Sequence, residues 1–212
     1  MAKLHLSFTR ATITPDRPLS TPEDTCSVIL AHDGNVTCNE NRLNEGNGIF
    51  VNPTSTICAV GAAPCTILIY TLSALGMPDA PETREVDVTF PCIFRLDEVA
   101  FPPGARAYRH VHAGSGFRHL RWGQLDLVAD DHNFTARPGD TWFEAAHSPV
   151  QATATEKAAE TRFARAMVVP LEFEGKPTIH ILDPADLEKP KRQVTHRHID
   201  KVLTTWPYVD AG

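Results

Sequence analysis

Residues 105–117 read ARAYRHVHAGSGF, a short alternating run between two turn signals. Pro102, Pro103 and Gly104 precede it, and Gly114 and Gly116 bend the chain after it. Tyr108, His110 and His112 are spaced by two. On a β-strand, side chains at i and i+2 point to the same face, so both imidazoles can converge on one point inside a barrel. The strand reading rests on what surrounds it. Runs rich in Val, Ile, Phe, Leu and Thr recur about every ten residues, at 27–30, 49–51, 66–72, 85–90, 118–128, 141–144, 161–169 and 178–182. Gly, Pro, Asn or Asp separate them, the pattern of an all-β sandwich or barrel. Helical periodicity is confined to two short stretches near the end, 183–188 and 196–203.

Composition narrows the function classes. The chain has 212 residues, 42% of them apolar, with 17 Pro and 12 Gly, enough for a real core with many turns. A formal charge of −6 argues against a nucleic-acid partner, which calls for a basic face. The basic residues Lys189, Lys191, Arg192, Arg197 and Lys201 read as a solvated tail segment. No Asp, Glu, Lys or Arg lies between Glu45 and Asp79, yet Asn52, Pro53, Gly61 and Pro64 interrupt that stretch. No membrane-length helix can be drawn through it. Cys26, Cys38, Cys58, Cys65 and Cys92 are odd in number and lack CxxC spacing, which reads as buried free thiols in a reducing compartment. The first ten residues carry no secretion signal, so the expected location is cytoplasmic.

An internal repeat sets the organisation. DTCSVILAHDGNVTCNENRLNEGNGIFVNP, followed by TILIYTLS, is echoed by GSGFRHLRWGQLDLVADDHNFTARPGDTWFEA, followed by RFARAMVVP. In each, a strand ends at a glycine (Gly34, Gly123), a hairpin follows, and a second glycine turn (Gly46, Gly139) opens another strand. The expected division is a lobe over 1–78, a linker over 79–84, a second lobe over 85–185 and a tail over 186–212.

The HxH pair, the downstream Gly123 and the Pro-Gly-Asp turn at 138–140 resemble the cupin superfamily, strongly over 100–182 and more faintly over 5–72. The resemblance implies a double-stranded β-helix, or jelly roll, of the cupin (RmlC-like) type in two lobes. It also implies a divalent metal (Fe, Mn, Ni or Zn) on His110 and His112, a small-molecule ligand or substrate, no nucleic-acid or membrane partner, and a homodimer. If the protein is an enzyme, the resemblance implies metal-dependent dioxygenase, lyase or isomerase chemistry. The alternative is a sensor or carrier whose metal site has decayed. The departures bear on that choice. Seven residues before Gly123, where the family motif has its metal-binding Glu, stands Gly116, and the second motif's His falls near Val150. The first lobe has no HxH near 19–24, so it is expected to be structural.

Other residues are candidates to complete the site. WFEAAHSPVQATA resembles a cupin subgroup with a Glu after Trp-Phe, which makes Glu144 the first choice of third ligand and His147 the second. Two His and a carboxylate would leave open positions for substrate and dioxygen or water. Trp142, on the face of Glu144, is core or pocket wall. Arg118 shares the inward face with Gly116 and could clamp a substrate carboxylate or pair with a surface acid. His119 and Arg121 fall on the other face, and a one-residue slip would exchange the roles.

Overall fold

Period-two alternation runs through most of this chain, and strands follow from it. In a computed structural model, which describes residues 1–130 and 132–207, nineteen strands form four antiparallel sheets. The first nine are β1 (Ala2–Ile13), β2 (Leu19–Ser20), β3 (Thr25–Asp33), β4 (Val36–Cys38), β5 (Asn41–Leu43), β6 (Gly48–Val51), β7 (Thr56–Ala59), β8 (Cys65–Ser73) and β9 (Glu82–Val88). The next eight are β10 (Cys92–Phe101), β11 (Arg106–His112), β12 (Ser115–Trp122), β13 (Leu125–Ala129), β14 (Asn133–Ala136), β15 (Thr141–Glu144), β16 (Val150–Ala154) and β17 (Thr161–Pro170). β18 (Ile179–Ile181) and β19 (Val194–Leu203) complete the set, with single 3-10 turns at Leu171–Phe173 and Pro184–Asp186.

The chain divides into two units. One is Met1–Leu96 with the segment from His198 onward, and the other is Asp97–Arg197. The first unit has sheets of order β6-β3-β8-β1-β9 and β2-β7-β4-β5. The strands β10 to β17 repeat the neighbour order of β1 to β8, as β15-β12-β17-β10 and β14-β13-β16-β11. β19 takes the edge beside β10, and β18 the edge beside β11. Each unit is thus an eight-stranded jelly roll with added edge strands, an all-β fold in two lobes.

The repeat is close enough to match residues. A bulge follows Ala31 in β3 and Leu120 in β12, and three residues later Gly34 and Gly123 take φ of 80° and 83°, a left-handed turn that favours glycine. Opposite them, Ala31 pairs with Ile67, and Leu120 with Phe163. The next inward pair is Ile29–Ile69 in the first unit and Arg118–Arg165 in the second. On the neighbouring strand, Ile49 and Val51 correspond to Trp142 and Glu144. The first unit fills these positions with an apolar cluster that includes Ile13, Ile29, Val36, Ile57, Ile67 and Ile69. The second unit puts charge there.

Three sequence expectations need correction. The segment given to a linker runs into β9, which pairs with β1 (Leu4 opposite Val86) and buries Val86 and Val88, so the first unit extends to Leu96. The supposed tail holds β19, because 193–197 alternate between an inner and an outer face; the residues at 208–212 lie outside the described ones. The helical period over 196–203 loses to hydrogen bonding with β10. No helix among the described residues is long and apolar enough to cross a membrane.

Gly116 of β12 stands opposite Met167 of β17. A Cβ there would meet the Ala166 carbonyl oxygen at 2.0 Å and Met167 Cγ at 2.7 Å. The side chain that the cupin motif carries at this position is therefore barred by the backbone of the neighbouring strand. Gly116→Ala should destabilise the protein by about 3 kcal/mol, read from urea midpoints, since overpacking against backbone relaxes poorly. A loss under about 0.5 kcal/mol would show that the strands part easily there.

Candidate functional site

One row of charge crosses the sheet β15-β12-β17-β10-β19. Asp97 on β10 has no exposed side-chain surface and takes two guanidiniums. Arg165 Nη2 on β17 donates to its Oδ2 at 2.9 Å, and Arg197 Nε on β19 to its Oδ1 at 3.1 Å. Arg165 stands directly opposite Arg118 of β12. Arg118, 1% exposed, pairs with Glu144 of β15 at 2.9 Å and also donates to the Gly116 carbonyl at 2.6 Å. Across the five strands the signs run minus, plus, plus, minus, plus. Like charges facing each other on adjacent strands repel, and the acids that balance Arg118 and Arg165 both lie on their outer sides.

The row borders a cavity of about 250 Å³. Arg118, Arg165, Arg197 and Glu144 line it, and Asp97 sits behind them. Val99, Phe101, Leu125, Leu127 and Phe163 give it an apolar wall, with Trp142 between that wall and Glu144. Thr178, Gln193 and Thr195 supply neutral polar groups.

His110 and His112 enter the cavity from β11. Both are buried, and burial holds both imidazoles below the ordinary histidine range. His112 is lowered furthest, because Arg165 and Arg118 add to the effect of burial. Neutral rings fix the direction of each hydrogen bond. His110 Nδ1 lies 2.6 Å from the Tyr108 carbonyl, which only accepts, so Nδ1 carries the proton and Nε2 a lone pair. His112 Nε2, 3.1 Å away, donates to that lone pair. His112 Nδ1 then accepts from the Thr178 hydroxyl at 3.2 Å.

A metal would find half a site. Nε2 atoms 3.1 Å apart suit two adjacent ligands of one ion at about 2.0–2.1 Å, and both Nδ1 atoms have the oxygen partners that orient ligating histidines. Among the described residues, however, no group of three His, Cys, Asp or Glu is placed to hold an ion. Glu144, the expected third ligand, lines the cavity but gives one oxygen to Arg118 and accepts from Trp142 Nε1 at 2.9 Å with the other. His147 is exposed and does not line the cavity. It sits in a left-handed turn (φ 62°), where only its backbone N–H turns inward, donating to the His112 carbonyl at 2.8 Å. The fit therefore stops at the two imidazoles.

Sequence reasoning passed over Asp97, Arg165, Thr178 and Gln193, and it read Arg197 as part of a solvated tail, whereas Arg197 pairs with buried Asp97 and lines the cavity. A signal existed for the first two, since Asp97 in CIFRLDEVAF and Arg165 in TRFARAMVVP are charges inside apolar strands. Such charges persist in a core only when paired.

No protein-family model matches the sequence, and no curated protein matches it. Solved structures do. AerE from Microcystis aeruginosa is 11% identical, with a TM-score of 0.57 over 77% of this chain and 88% of that one. A Nostoc punctiforme protein provisionally named a dioxygenase is 14% identical, with a TM-score of 0.54 over 84% of this chain and 74% of that one. Vicilin from hazelnut, Corylus avellana, is 10% identical, with a TM-score of 0.52 over 78% of this chain and 74% of that one. These are cupin-type proteins, and the fold of this chain is the cupin fold in two lobes.

Two outcomes follow for stability. Asp97→Asn leaves two guanidiniums facing a neutral amide and should cost about 3–5 kcal/mol, the usual penalty for breaking a buried ion pair, measured by urea denaturation. The second concerns pH, in chelator-treated protein. The folded imidazoles titrate below the unfolded value of about 6.5, so on acidification the unfolded chain takes up protons first. Stability should hold above that pH and fall progressively as the pH drops below it, with a shallower fall in His112→Gln. A flat profile in the parent protein would contradict neutral buried imidazoles.

Proposed function

We propose that the second unit is a receptor for a small organic anion, whose carboxylate sits between Arg118 and Arg165. The observation that carries this reading is their direct opposition across the β12–β17 register, with Glu144 and Asp97 on their far sides. An anion between them restores alternation of charge along the row, and planar guanidiniums suit a carboxylate. The apolar wall then takes the remainder of the ligand, as in most small-molecule sites. The first unit, with Ile29 and Ile69 at the matching positions, has no such pair and is read as structural.

A second reading keeps the metal. It is favoured by the 3.1 Å separation of the histidine Nε2 atoms and by the oxygen partners of both Nδ1 atoms. His110 and His112 would hold Fe, Mn, Ni or Zn, which would supply Lewis-acid or oxygen chemistry when bound, and Glu144 would have to leave Arg118 to join them. Both readings carry a cytoplasmic location, supported by five free thiols. Burial pushes the Cys92 thiol up to about 12, which suits a packed cysteine rather than a nucleophile. A homodimer is proposed on the cupin resemblance alone.

Calorimetry with hexanoate and 3-phenylpropanoate, each beside its uncharged amide, tests the first reading. The acids should bind at least tenfold more tightly than the amides, and Arg118→Gln, checked for folding by circular dichroism, should remove that advantage. Equal affinity for acid and amide, or no binding of either, would overturn it. Elemental analysis of untagged protein decides the second reading. About one ion per chain, lost in the His110→Ala/His112→Ala double variant, supports it, and metal-free protein after incubation with the four ions rejects it.

A further inference from the structure

The strand that closes the cavity carries a signal that the charge row does not use. Gln193, Thr195 and Arg197 line the cavity, whereas Arg192, Val194 and His196 line a groove outside it. Period-two alternation thus begins one residue before β19 and presents an amide, a hydroxyl and a guanidinium in sequence to whatever the cavity holds. The guanidinium belongs to the charge row through Asp97. The amide does not. Gln193 Oε1 is buried and takes no hydrogen bond from any described residue. An amide oxygen withdrawn from water without a donor is unusual in a folded protein, and on a cavity wall it marks where a ligand's donor belongs.

Resting on the anion reading above, we propose that Gln193 selects ligands that carry a hydrogen-bond donor as well as a carboxylate: small hydroxy acids or amino acids with an apolar body. The carboxylate occupies the arginine pair, the apolar part lies against Leu125, Leu127 and Phe163, and a hydroxyl or amino N–H donates to Gln193 Oε1. Discrimination follows from the unmade bond. A parent acid without the donor leaves the amide oxygen unpaired, and sites built this way reject the lacking analogue far more strongly than they reject a change of one methylene. Thr195, exposed at the same edge, can give and accept and so does not select a donor.

The test uses the full chain and one carbon skeleton. Hexanoate, 2-hydroxyhexanoate, 6-hydroxyhexanoate and 2-aminohexanoate are titrated by calorimetry, so that the donor is offered near the carboxylate and at the far end. At least one donor-bearing acid should bind tenfold or more tightly than hexanoate. In Gln193→Leu, checked for folding by circular dichroism, that preference should fall below twofold. If hexanoate binds and all four acids lie within twofold in the parent protein, the anion reading stands and the role of Gln193 is overturned. That role is equally overturned if Gln193→Leu keeps the preference, since the donor then meets its acceptor elsewhere. If no acid binds the parent protein, the anion reading fails and this inference falls with it.

Discussion

Asp97 is the residue on which the second unit turns. A carboxylate with no exposed surface is costly unless it is fully compensated, and here two guanidiniums from the flanking strands β17 and β19 supply the compensation. The same contacts fix what the cavity sees. Arg165 and Arg197 cannot swing out to solvent without stranding the acid, so both stay at the wall, and Arg165 stays opposite Arg118. The positive character of the pocket is a consequence of how three strands are tied together.

Set beside the first unit, this arrangement shows that one strand framework holds either a charged or an apolar interior. The two units share eight strands in the same neighbour order and a bulge and left-handed glycine at matched places. Along the charge row, what differs is the side chains at four matched interior positions: Ile29, Ile69, Ile49 and Val51 on one side, Arg118, Arg165, Trp142 and Glu144 on the other. The architecture tolerates both fillings, as expected where sites are grafted onto folds. Gly116 shows the limit of that tolerance, because there the backbone of β17 leaves no room for any side chain.

Much of the fold was legible because its signals are local. Alternation marks strands, Gly34 and Gly123 mark the turns, and the paired blocks betray the repeat. His110 and His112 were legible for the same reason, two residues apart on one strand. The charge row was not. Asp97 lies 68 residues from Arg165 and 100 from Arg197, and nothing within a short window announces such a partner. Strand alternation puts Glu144 on the face of Trp142, and both line the cavity, but its pairing with Arg118 depends on a strand 26 residues away. The basic look of 189–201 hid an alternating strand, because charge on the outer face masked the polar residues turned inward.

The chain leaves the first unit within β10 and returns to it within β19, so the second unit is an insertion in the first. Joining the two ends across roughly 100 free residues would cost about 4 kcal/mol of loop entropy. Once the insertion has folded, those ends lie on neighbouring, hydrogen-bonded strands and most of that cost has been met. The first unit depends on the same closure for its own charge balance: the bidentate acid of Arg95, wholly buried, is Asp200, 105 residues downstream, at 2.8 and 3.0 Å.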